Sequence, residues 1–182
     1  MYTPPEAPLT VLALDLGTRT GWALHRPGRP DTHGLWVLPE PALSWKGKRW
    51  AALRDRLVEA KNAAGGIDLL YYEYSEFIMT APNAKGVPKA QVLSVMDRGA
   101  LYAVVQSFAL HHEIPAVPVN PSTIKKAATG NGRAKKLQVI AAVNARHGLA
   151  LTDKHDNHAD AIALLDLALA EIAHQKMLAR AS

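Results

Sequence analysis

At 182 residues, 48% hydrophobic and 20% charged, the chain matches one globular domain with a single sizeable core. No apolar run approaches the roughly 18 residues of a membrane span, and the opening stretch MYTPPEAPLT lacks the basic and apolar regions of a secretion signal, so a soluble, cytoplasmic protein with no membrane partner is expected. The absence of cysteine excludes disulfide scaffolds, zinc fingers, iron–sulfur sites and thiol nucleophiles, while a net charge of +5 leaves an anionic partner open.

Thr10 to Asp15 (TVLALD) is a short apolar run followed by Gly17, a pattern that predicts a buried strand. Gly21 opens a hairpin partner at Trp22 to His25, and Thr32 to Leu38 reads as a third antiparallel strand. Helical spacing takes over at Lys46 and continues to about Ala64, with Trp50, Leu53 and Leu57 on one side and Gly65-Gly66 as the stop. Ile67 to Tyr72 predicts a fourth strand, ending at Glu73, and Pro82 to Lys89 (PNAKGVPK) a loop within the domain. Val92 to His112 has helical periodicity, and Ile114 to Val119 (IPAVPV) is short and extended. Asn120-Pro121 has the form of an N-cap followed by proline at the first helical position. Gly130-Asn131-Gly132 precedes a helix from about Ala134 to His147. A last helix from about Asn157 to Met177 carries Ile162, Leu165, Leu169 and Ile172 on an apolar face, which leaves 1–8 and 177–182 as tails. The order βββαβαβαα specifies one α/β domain with a mixed sheet.

The positive charge is local. No acid occurs from Ile114 to Thr152, a stretch that carries Lys125, Lys126, Arg133, Lys135, Lys136 and Arg146, so the remainder of the chain sums to −1. Such a patch attracts a polyanion, nucleic acid first among them, or is a solvated basic helix face.

Among the acids, Asp15 and Glu73 each end an otherwise apolar strand. A half-buried carboxylate is costly without a cation beside it, and strand ends in α/β sheets are where ligand sites form. A third group opens the last helix, where Asp156 and Asp160, or Asn157 and Asp160, share a face. Asp153 and Asp156 can equally cap first-turn amides; Asp160, a turn later, is not explained by capping. His155 and His158 can ligate, relay protons or lie exposed. Carboxylates without cysteine suit Mg²⁺ or Mn²⁺, and beside a basic patch they imply phosphodiester hydrolysis with two ions.

The runs LALDLGTRTGWAL (Leu12 to Leu24), LLYYEYSEF (Leu69 to Phe77) and DNHADAIALLDLAL (Asp156 to Leu169) resemble the RuvC-type Holliday-junction resolvases of the ribonuclease H-like superfamily, over nearly the whole chain. The resemblance implies a ribonuclease H-like fold with a five-stranded mixed sheet flanked by helices, two Mg²⁺ per active site, a homodimer, and hydrolysis of branched DNA. It implies metal ligation by Asp15, Glu73 and Asp160. The family's first helix acid falls on Asn157 here, so Asp156 is the preferred fourth ligand, with Asn157 or His158 as alternates. The two DNA-contacting lysines map to Lys125 and Lys136, with Lys126, Arg133 and Lys135 alongside, and the aromatic that stacks on an opened base to Phe77. YqgF-type or catalytically inactive DNA-binding relatives and actin-like ATPases share parts of this pattern, but all three matching acids are present and a second phosphate hairpin is not.

Overall fold

Four successive apolar residues, Val11 to Leu14, are wholly buried, so the strand that carries them must lie between two layers. The structure is a computed structural model that describes residues 7–40, 47–75 and 89–181. That strand, β1 (Val11–Asp15), pairs antiparallel with β2 (Arg19–His25), which pairs antiparallel with β3 (Thr32–Val37). On its other side β1 runs parallel to β4 (Leu69–Glu73), and β4 parallel to β5 (Ala116–Val119). The sheet is therefore mixed and five-stranded, in the order β3-β2-β1-β4-β5.

Alternation along the strands divides the core in two. Leu12, Leu14, Leu24, Leu70 and Tyr72 face α1 (Gly47–Ala64) and α2 (Lys89–His111). Val11, Ala13, Ala23, Leu69 and Tyr71 face α3 (Pro121–Thr129), α4 (Lys136–His147) and α5 (Asp156–Ala181). Removing a buried leucine from water contributes roughly 1.5–3 kcal/mol. Arg49 is only 3% exposed; it donates to the Pro39 carbonyl at 2.9 Å and to the Asp97 carboxylate, tying the start of α1 to the middle of α2.

Several boundaries differ from the sequence reading; β2 begins at Arg19 and α4 at Lys136, where Trp22 and Ala134 were expected. The cap at Asn120 starts a helix of its own, α3: the Asn120 side chain accepts from the Ser122 amide at 2.9 Å, and Gly130 closes the helix at φ 79°. α2 begins at Lys89, inside the expected loop. α5 continues to Ala181, where a tail from 177 was expected, because the polar residues of its last turns are good helix formers that need no core contact. Its buried surface is also wider than one stripe. Ala161 to Leu165 are all buried, since the helix lies between the sheet and the α3–α4 layer. No helix among the described residues is long and apolar enough to cross a membrane.

Small residues let α5 approach closely. A Cβ on Gly21 would stand 1.8 Å from the Asn157 carbonyl oxygen and 2.4 Å from its carbon, so the first turn of α5 rests directly on β2. Gly21→Val should lower stability by about 1–3 kcal/mol through overpacking, seen as a lower urea midpoint. Gly99→Ala, in a helix with nothing within 4 Å of the added methyl, should raise stability by up to about 1 kcal/mol; equal effects would mean the contact at Gly21 is not limiting.

Candidate metal centre and nucleic-acid face

Leu14 of β1 pairs with Tyr72 of β4, so the next residues, Asp15 and Glu73, stand side by side at the C-terminal ends of two parallel strands. By alternation both point to the face covered by α5, together with Val11, Ala13, Leu69 and Tyr71. The chain leaving Glu73 is held in place. The Ser75 amide donates to the Tyr102 hydroxyl at 3.1 Å, and the Tyr74 ring packs between Tyr72 and Tyr102. On the other side, the Thr20 hydroxyl donates to the Gly17 carbonyl at 2.8 Å and stabilises the turn after Asp15.

The opening of α5 brings the remaining acids to this place. Asp160 feels Asp156 and the two lysines Lys125 and Lys136, and in turn acts on both Asp15 and Glu73. Asn157 and His158 are engaged elsewhere. The Asn157 side-chain amide donates to the Arg19 carbonyl in the β1–β2 turn. His158 Nε2 lies 2.7 Å from Nδ1 of His33 on β3, and burial, followed by the His33 and His155 charges, pushes its pKa down to about 4. Asp156 makes an ion pair with Lys136 at 2.5 Å. His155 turns back to its own 3-10 turn (Asp153–His155), beside the Thr152 amide and hydroxyl.

The electrostatics describe acids held together against their preference. Asp15 is 8% exposed and its pKa is raised well above the ordinary value, first by burial and then by Glu73, Asp160 and Asp156. Glu73 is raised to about 7 by burial and then by Asp160. Asp160 is raised to about 6, again mainly by burial. Arg98 and Lys125 oppose these shifts without cancelling them. A cluster of hard oxygen donors with uncompensated charge fits Mg²⁺ or Mn²⁺. Among the described residues, no three Asp, Glu or His side chains are yet gathered tightly enough to enclose an ion as they stand.

The basic residues fall on α3, α4 and the turn between them. Lys125 lies at the acids and lowers the pKa of Glu73 and Asp160. Lys136 opens α4, while Lys126, Arg133 and Lys135 are exposed nearby in sequence and point to solvent. Phe77 lies outside the described residues. Sequence reasoning missed Arg98, an exposed residue of α2 whose charge reaches Asp15, Glu73 and Tyr102. The available signal was its spacing, one turn before the buried Tyr102.

Comparison with known proteins gives the chain its family. The family profile of crossover junction endodeoxyribonuclease RuvC matches residues 84–169. The RuvC of Corynebacterium diphtheriae is 30% identical over 155 residues, covering 84% of this chain and 89% of the relative. The chain belongs to the RuvC family. The RuvC of Corynebacterium efficiens is 30% identical over 158 residues, 86% of this chain and 66% of the relative, and that of Frankia alni 38% identical over 89 residues, 47% of this chain and 45% of the relative. The chain thus spans just under two thirds of the first of these proteins and less than half of the second. A solved structure of Thermus thermophilus RuvC in complex with Holliday junction substrate superposes with a TM-score of 0.65 at 18% identity, covering 86% of this chain and 90% of that one. It shares the ribonuclease H-like fold.

Membership in the RuvC family implies dependence on a divalent metal, and the raised acids make that dependence measurable in stability. The folded protein binds more protons than the unfolded chain between the ordinary value of 4.5 for Glu73 and its folded value of about 7. Metal-free protein should therefore lose stability as pH rises through that window, and Asp160 adds the same sign between 3.8 and about 6. Mg²⁺ should restore the loss at pH 8, since cation binding requires the deprotonated acids. Urea titrations at pH 5 and 8, with and without Mg²⁺, check this; a metal-free protein equally stable at both pH values would contradict it.

Proposed function

We propose that this chain is a divalent-metal-dependent endodeoxyribonuclease that resolves four-way or otherwise branched DNA. The reading is carried by Asp15 and Glu73 standing adjacent on parallel strands under the acids of α5, and supported by the name its relatives bear. Asp15, Glu73 and Asp160 hold two Mg²⁺, with Mn²⁺ as a substitute, and Asp156 completes the donor set. The ions would supply Lewis acidity to the attacking water and the leaving oxygen. The chain's own part is to place the charges. Buried Asp15 is fixed by its pairing with Gly21 on one side and by the Leu14–Tyr72 pair just before it on the other, and Asp160 belongs to a helix whose first turn rests on Gly21.

Lys125 and Lys136 hold the phosphate next to the cut, and Lys126, Arg133 and Lys135 follow the backbone away from it. Water attacks phosphorus and the bond to the 3′ oxygen breaks, leaving 5′-phosphate and 3′-hydroxyl ends. Cutting two strands of a symmetric junction needs two such sites, so the working unit is a homodimer. An open apolar groove of about 890 Å³ between α1 and α2, lined by Trp50, Val58, Ala100, Val104 and Phe108, supports pairing through that face. Its place of work is the cytoplasm, where bacterial or phage DNA lies.

Asp15→Asn should abolish cleavage of a synthetic four-way junction in Mg²⁺ while leaving junction binding intact, because it removes charge from the metal site and none from the basic surface. Residual nicking by that variant would defeat the assignment, and a wild-type protein that binds junctions but cuts none would leave a binding function instead. Lys125→Ala should weaken binding and reduce its log–log salt slope by about one unit.

A further inference from the structure

The two helices that flank the acids begin with opposite charges at the same place. α4 opens at Lys136, preceded by Lys135 at its N-cap and with no acid in its first turn. Lysines there oppose the helix dipole, so their position is not explained by the stability of α4. What Lys136 meets is Asp156, the first residue of α5, at 2.5 Å. The backbone around Asp156 needs no help from this ion pair. Asn157 is fixed to the Arg19 carbonyl, His158 to His33, and the first turn rests on Gly21. Val139, Ile140 and Val143 of α4 are buried with Ile162 and Leu165 of α5, so the spacing of the two helix starts is set by the core. The side chain of Asp156 can therefore exchange partners on a rigid frame.

We propose that Lys136 is a positioning residue for the metal centre. In the DNA-free protein it commits the Asp156 carboxylate to an ion pair, and a DNA phosphate that takes the ammonium releases Asp156 to the cations. DNA and cation binding then reinforce one another by linkage. This rests on the reading of Asp156 as the fourth ligand. Both side chains are partly open to solvent, 53% for Lys136 and 29% for Asp156, so the ion pair is worth at most a factor of about five.

The test is calorimetric binding of Ca²⁺, used so that DNA remains uncut, to wild type, Lys136→Gln, Asp156→Asn, the double variant and Lys136→Arg. Without DNA, Asp156→Asn should change wild-type Ca²⁺ affinity less than twofold but cost several-fold in the Lys136→Gln background, and Lys136→Arg should behave as wild type. Adding a four-way junction should raise Ca²⁺ affinity more in wild type than in Lys136→Gln. If Asp156→Asn costs the same in both backgrounds, Lys136 acts only as a diffuse positive charge and the proposal is overturned. If Asp156→Asn leaves Ca²⁺ affinity unchanged in every background, with and without the junction, Asp156 is not a ligand and the reading beneath the proposal fails first.

Discussion

A helix can lie against a sheet only as closely as the side chains between them permit, and where the first turn of α5 meets β2 the sheet residue is Gly21. Gly21 on β2 meets the Asn157 carbonyl at the first turn of α5, and Ala13 and Ala23 of the sheet share a core with Ala159 and Ala163 of the helix. That close approach brings the first two turns of the helix to the ends of β1 and β4, where Asp160 acts on Asp15 and Glu73 and Asp156 acts on Asp15. Larger residues would lift the helix and disperse the acids without altering a single functional group. The architecture of the site is thus a packing constraint first and an electrostatic one second.

The electrostatic consequence is a cluster the protein does not neutralise by itself. Burial raises Asp15, Glu73 and Asp160, and the cations Arg98, Lys125 and Lys136 oppose these shifts only in part, Lys136 being paired with Asp156. Such a cluster is destabilising in isolation. Its retention is understandable if the compensating charge arrives from outside, which is what a metal-dependent family supplies. The strain of holding the acids together is borne by the rest of the fold, chiefly the wholly buried β1 and the two-sided burial of α5.

Much of this was legible in the sequence because the signals are local. Asp15 and Glu73 stood out as charges ending apolar runs, and the acid-free stretch around Lys125 and Lys136 as a break in composition. Asp160 was assigned by position, one turn too deep for a cap. What the sequence did not show depends on pairs far apart in the chain. His158 engages His33 and the Asn157 amide nitrogen engages the Arg19 carbonyl, and neither contact has a periodicity that spacing could reveal. Arg98 escaped because its effect on Asp15 and Glu73 crosses from α2 to β1 and β4, and only its place one turn before Tyr102 is local.

The opposed charges also bear on the order in which ligands are accommodated. In the free protein, Lys125 offsets part of the repulsion at Glu73 and Asp160, and Lys136 part of that at Asp160 and Asp156. A phosphate that engages those lysines withdraws that offset just as it adds its own negative charge. The acids then either take up protons, as Glu73 can near neutral pH, or take up cations. If the lysines take a phosphate as proposed, phosphate and cation would be favoured together over either alone, and a cation-free complex would be costly. A basic face set directly beside buried acids is in this sense one site for two ligands of opposite charge.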